Sequence, residues 1–287
     1  MIGMRGLRTA AVAAGAMGGL SGVAYGLLMG QARRAEQVIG LPVAPPLLAD
    51  GVYLPDGSGP LAPSELAVEP LRFTMIGDSM AAGLGVDEPA ELPAVVLARE
   101  LAEEVSRPVR LDTCALVGAT TKDLPALVGN ALVMEPDLAL IIIGANDVTI
   151  QRPIRSSVAA LSREVHRLMA AGTEVVVATC PDLGVIRPLA QPLRSVARNW
   201  SLLLSRAQHR AVAKAGAIPV PLADLVASEF LLRPHELFSA DQFHPNGAGY
   251  RIAASVMLPA LCAAAGLWVG NTRHSELALP QSDPPPA

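Results

Sequence analysis

Along most of this chain, short apolar runs alternate with longer segments whose apolar positions recur every three to four residues. The runs predict strands buried on both faces, and the periodic segments predict helices packed against them. The clearest strand is Leu138–Ile143, LALIII, with others at Phe73–Ile76, Val109–Cys114, Glu174–Thr179 and Ala217–Val220. Helical spacing covers Pro93–Val105, Thr121–Leu132, Pro153–Ala171, Leu193–Ala215 and Gly247–Ala265.

Strands separated by helices imply right-handed βαβ crossovers and a parallel sheet with helices on both faces. The expected class is α/β, a flavodoxin-like three-layer α/β/α arrangement with a five-stranded parallel sheet in the order 2-1-3-4-5. This domain occupies 71–268, and its flanks differ from it. Thr9–Gly30 is an uncharged run of 22 residues between Arg5 and Arg8 on one side and Arg33 and Arg34 on the other. As a helix it would rise about 33 Å, enough to cross a bilayer. Residues 1–34 are therefore expected to be a signal peptide or an N-terminal membrane anchor. Gly22-Val23-Ala24 and Gly30-Gln31-Ala32 resemble cleavage sites, whereas the length of the run suits an uncleaved anchor. Export to the cell envelope follows from either outcome. Residues 35–70, rich in Pro and Gly, read as an extended spacer, and 269–287, ending Asp283-Pro-Pro-Pro, as a disordered tail.

Apolar residues make up 51% of the chain and aromatics only 3%, so the core must rest on Ala, Val, Leu and Ile. The formal charge of −4 gives no basic stripe for nucleic acid. Cys114, Cys180 and Cys262 lack metal-ligand spacing. In the expected strand order, Cys114 and Cys180 lie on strands three places apart, too far for a disulfide.

Candidate chemistry collects where the predicted strands end, the edge at which sites form in open α/β sheets. The first strand stops at Gly77-Asp78-Ser79, a sharp turn expected to lead into a helix, with Ser79 either a nucleophile or a helix N-cap. The second is followed by Gly118-Ala119-Thr120 and the third by Gly144-Ala145-Asn146-Asp147. Asp241-Gln242-Phe243-His244-Pro245 follows the fifth. A serine hydroxyl needs a base, and His244 is the natural one; Asp241, three residues before it, can fix its tautomer. The N–H groups of Ser79 and Gly118 and the amide of Asn146 could serve as oxyanion donors. His235 is the competing histidine, since His166 and His209 fall in helices and His274 in the tail. Asp78 is expected to buttress its loop, and Asp147 to cap the turn after Asn146. A metal site built from Asp78, Asp147, Asp241 and His244 for phosphoester hydrolysis is the rival in a different class.

The blocks GDSM, the glycine of VGAT, GAND and DQFHP together resemble the SGNH (GDSL-like) hydrolase superfamily, in the family's block order over roughly residues 70–266. The N-terminal arrangement and GDSM are most similar to mycobacterial GDSL-type esterases of the cell envelope. Met80 stands where the family usually has Leu, and the second block lacks a frequent upstream Asn. The resemblance implies the SGNH hydrolase fold and a Ser–His–Asp triad of Ser79, His244 and Asp241. It also implies an oxyanion hole of Ser79, Gly118 and Asn146. The expected activity is a serine esterase or lipase working without metal or organic cofactor on an ester or lipid-like substrate of short to medium acyl chain. Acyl transfer by the same triad to a sugar or lipid acceptor is the alternative. Pocket walls are expected from Leu84–Pro93, Asp182–Pro192 and Phe230–Ala240.

Overall fold

The computed structural model describes residues 19–40, 45–62 and 68–267. The tail, Arg5, Arg8 and the first half of the N-terminal apolar run lie outside these residues. Five parallel strands form the body of the sheet: β2 (Leu71–Gly77), β3 (Val109–Ala115), β4 (Leu138–Ile142), β5 (Glu174–Ala178) and β6 (Ile218–Val220). A sixth strand, β1 (Gly51–Tyr53), adds antiparallel to β3, giving the order β1-β3-β2-β4-β5-β6. The parallel strands keep the expected 2-1-3-4-5 order, and the added strand corrects the count.

That strand comes from the stretch expected to be a spacer. Val52 and Tyr53 are fully buried, and Val52 pairs with Leu61 across a Pro- and Gly-rich turn. Three residues between breakers carry too little periodicity to register as a strand. The Tyr53 hydroxyl donates to Ala49 O at 2.5 Å, and the Arg99 guanidinium lies 5.6 Å above its ring. Burial pushes the Tyr53 hydroxyl up to about 12, an effect that Arg99 partly offsets. The spacer reading also gives way at its start, because a helix, α1 (Gly19–Ile39), continues to Ile39.

The strands alternate between two cores, as the period of two requires. Phe73, Met75, Leu138, Leu140, Val176 and Ala178 face one side, where α2 (Pro93–Val105) packs. Ile76, Ala139, Ile141, Val175 and Val177 face the other, with α3 (Leu124–Val133). The chain then adds α4 (Ala145–Thr149), α5 (Ile154–Ala170) on α3's side, and α6 (Leu193–Ala215). Between β6 and the last helix lie three short helices: α7 (Leu222–Leu225), α8 (Ala227–Leu232) and α9 (Pro234–Leu237). The last helix, α10 (Gly247–Ala264), is long and apolar enough to cross a membrane. It packs instead on α2's side of the sheet through Ala253, Ala254, Met257 and Leu261. The cysteines are free; Cys180 and Cys262 are buried and Cys114 half-buried.

Candidate active site

Gly77 brings β2 so close to β4 that a Cβ there would stand 2.0 Å from Ile142 O, so no other residue fits. The segment that follows is not a helix. Residues 78–85 form successive turns, closed by Ala82 N–H to Asp78 O and Leu84 N–H to Ser79 O. Ser79 is therefore not a helix N-cap. Its own N–H has no acceptor among the described residues. The turns supply the free donor that a helix N-terminus was expected to provide.

Ser79 and His244 are 165 residues apart in sequence, yet Ser79 Oγ donates to His244 Nε2 at 2.9 Å. On the far side of the ring, His244 Nδ1–H donates to Asp241 Oδ2 at 2.6 Å. The Asp241 loop is tight. Its Oδ1 accepts from Ser239 Oγ at 2.8 Å, Phe243 N–H at 2.8 Å and His244 N–H at 2.9 Å. Burial alone would raise the Asp241 carboxyl. The His244 ring and these N–H groups outweigh it and hold the carboxyl down to about 2. Phe243 meets the His244 ring edge-on at 4.8 Å between centroids. His235, the competing histidine, is exposed on α9 and plays no part in this arrangement.

Gly118 has φ +80, a conformation that favours glycine, and a Cβ there would meet nothing within 4 Å. Like that of Ser79, its N–H has no acceptor among the described residues. Asn146 donates one amide proton to Ala119 O at 2.9 Å, and Asp78 Oδ2 lies 3.5 Å from the same nitrogen. The second amide proton is thus held near the serine turn. Asp78 is buried and takes the Met80 N–H at 3.0 Å, closing the turn as expected. Burial is the main cause that pushes its carboxyl up to about 7.

Asp147 was expected to cap a turn or, in the rival reading, to ligate a metal. Instead it is fully buried and bound to Thr121, Ser157 and Arg152. The sequence signal for this contact was the pair of hydroxyl residues, Thr120-Thr121, after Gly118. With Asp147 held by these groups and Asp241 by His244, the carboxylates of the rival metal site do not converge. Among the described residues, no group of three or more His, Cys, Asp or Glu side chains is placed to hold a metal ion.

Beside Ser79 and His244 opens a cavity of about 60 Å³. Leu183, Ile186, Val226, Phe230 and Phe238 give it an apolar wall, and Phe230 and Phe238 stack edge-on at 5.0 Å. Asp182 also lines it, but its carboxylate is engaged by Gly184 N–H and by Arg198 Nε at 3.3 Å. The expected walls from 182–192 and 230–240 contribute, the latter through Phe230 on α8 and Phe238 on extended backbone after α9. Leu84–Pro93 does not line the cavity, and residues 222–227 do so without having been anticipated.

Residues 75–252 match the model of the GDSL-like Lipase/Acylhydrolase family. The chain is 43% identical over 248 residues to the GDSL-like esterase Rv1075c of Mycobacterium tuberculosis (strain ATCC 25618 / H37Rv), spanning 84% of this chain and 79% of that protein. Similar solved structures include TesA, at a TM-score of 0.54 and 21% identity over 67% of this chain and 99% of that one. A lipase/acylhydrolase from Enterococcus faecalis aligns at 0.52 and 22% identity, over 66% and 93% of the two chains. A catalytic mutant of Axe2, an acetylxylan esterase from Geobacillus stearothermophilus, aligns at 0.52 and 19% identity, over 68% and 96%. At these identities the solved structures speak to the fold, whereas the sequence matches speak to the family. The chain therefore belongs to the GDSL-like lipase/acylhydrolase family and is an ester-hydrolysing enzyme.

Proposed function

We propose that Ser79 is the nucleophile of this hydrolase, His244 its general base and Asp241 the acid that fixes the imidazole. The observation that carries this reading is the continuous relay from Ser79 Oγ through both ring nitrogens to Asp241. Nδ1–H donates to the carboxylate, which leaves Nε2 free to take the serine proton as Oγ attacks the ester carbonyl. The N–H groups of Ser79 and Gly118 receive the oxyanion, together with the second Asn146 amide proton, which exchanges its long 3.5 Å hydrogen bond to Asp78 Oδ2 for it. A single such donor is worth about 10²–10³ in kcat. Collapse of the intermediate expels the alcohol, which takes the proton back from the imidazolium. Water then attacks the acyl-enzyme with His244 again as base, releasing the acid and restoring the Ser79 hydroxyl. No step calls for a metal or organic cofactor.

The apolar cavity beside Ser79 suits the acyl group. Its small volume, about 60 Å³, and its apolar wall favour short to medium acyl chains. The Arg-flanked apolar run at the N-terminus supports export to the cell envelope, with that segment either cleaved or kept as an anchor.

The test is hydrolysis of p-nitrophenyl esters from acetate to laurate by the full chain, with and without chelator. We expect chelator-resistant turnover, highest near butyrate to hexanoate, that is lost in Ser79→Ala with an unchanged melting temperature. Turnover retained in Ser79→Ala would overturn the assignment of the nucleophile. Faster release of p-nitrophenol on adding a sugar alcohol, with the acyl group recovered on that acceptor, would shift the reading to acyl transfer.

A further inference from the structure

Gly118 offers its N–H to the proposed oxyanion, yet nothing in its own residue holds that N–H in place. It has no side chain, and the space beside its Cα is open. Its direction must come from the residues around it, and these are clamped from across the site by two consecutive residues of α4. Asn146 donates to Ala119 O. Asp147 Oδ2 accepts the Thr121 N–H at 2.9 Å, and its Oδ1 accepts the Thr121 hydroxyl at 2.5 Å. Thr121 and Asp147 are both fully buried. A buried carboxylate is costly unless its lone pairs are met, and here Ser157 Oγ donates at 2.7 Å, while the Arg152 guanidinium stands 3.5 Å away as an ion-pair neighbour whose Nε makes no hydrogen bond. Ser157 lies on α5, so the carboxylate is fixed to the framework on one side and grips the Gly118 loop on the other.

We infer that Asp147 is a positioning residue that sets the spacing between the Gly118 and Asn146 donors. The inference rests on the serine-hydrolase reading above. Asp147 touches neither Ser79 nor the cavity and reaches the donors through Thr121 and its neighbour Asn146.

Its two hydroxyl partners allow a controlled experiment, because each removes one hydrogen bond from the same oxygen. Thr121→Val loosens the loop side, and Ser157→Ala loosens the framework side. With p-nitrophenyl butyrate, Thr121→Val and Asp147→Asn should lower kcat about tenfold to a hundredfold. KM should stay within about twofold, because a misplaced donor weakens the transition state more than ester binding. Ser157→Ala should lose melting temperature to a similar extent yet keep kcat within about twofold of wild type. Thr121→Ser, which keeps the hydroxyl, should restore most of the rate and provides a folded control. Equal loss of kcat in Thr121→Val and Ser157→Ala, or no loss in Thr121→Val, would overturn the inference. Failure of the underlying reading shows separately, as turnover that survives Ser79→Ala.

Discussion

The carboxylate of Asp241 receives four hydrogen bonds, all from residues within three positions of it. Its pKa of about 2 lies below the ordinary carboxylate value of 3.8. A carboxylate held this way contributes stability above about pH 4 that is lost as pH falls toward 2. Wild type should therefore exceed Asp241→Asn in stability at pH 6, and the gap should narrow toward pH 3. Urea midpoints at the two pH values measure it, and a constant gap would contradict the depressed pKa. The same substitution should cut kcat by about 10³–10⁴, because an amide can present its NH₂ to Nδ1 and favour the wrong tautomer.

At the level of elements, the segment of three short helices after β6 forms part of the cavity beside Ser79. Val226 and Phe230 come from this segment and form one side of the cavity, while Leu183 and Ile186 come from the 3₁₀ turn after β5 and the residue beyond it. Substituting Val226, which is buried at this wall, by Ala removes two methyl groups from it. Where the cavity limits the acyl chain, Val226→Ala should move the optimum of the p-nitrophenyl series upward by one or two carbons. The cost in stability should be about 1–3 kcal/mol. An unchanged chain-length profile would place the acyl group elsewhere. Helix α6 steadies the opposite wall. Ser201 Oγ accepts the Leu183 N–H at 3.0 Å, and Gln208 bridges Ile143 O and Cys180 N–H at 3.1 and 2.7 Å, tying the ends of β4 and β5 together.

Over the whole molecule, the edge of the sheet and the strand that leads to Ser79 can be perturbed separately. Strand β1 covers the β3 edge and buries Tyr53, two strands away from the strand that carries Ser79. Tyr53→Ala should therefore cost about 3–5 kcal/mol in urea unfolding. In the protein that remains folded, kcat should be unaltered. A comparable fall in kcat would mean that the edge strand also shapes the site. The N-terminal helix joins the same body, because the Gln31 amide donates to Gln191 O and accepts the Leu193 N–H at 3.0 Å. Through this contact α1 is held at the start of α6, close in sequence to the cavity wall.

The apolar pattern by itself determined the five parallel strands and most of the helices between them, because burial on both faces leaves uninterrupted signals; their order came from the flavodoxin-like arrangement that alternating strands and helices suggest. The same pattern also placed Ser79, Gly118 and Asn146 just beyond strand ends and Asp241 and His244 in the connection after the fifth strand, which the structure fills with three short helices before the loop that carries them. Features held by few residues or by distant partners were decided only in three dimensions. Strand β1 has three residues and no period, and its burial depends on an edge that only the assembled sheet presents. The turns after Gly77 replace an expected helix because Asp78 and the close pairing with β4 set the backbone there. Asp147 reads locally as a capping residue, and its grip on Thr121, 26 positions earlier, exists only once β3 and β4 flank β2. Local propensity is written in neighbouring residues; the distances between Ser79, His244 and Asp241 and the placing of Gly118 beside Asn146 are set by packing between strands.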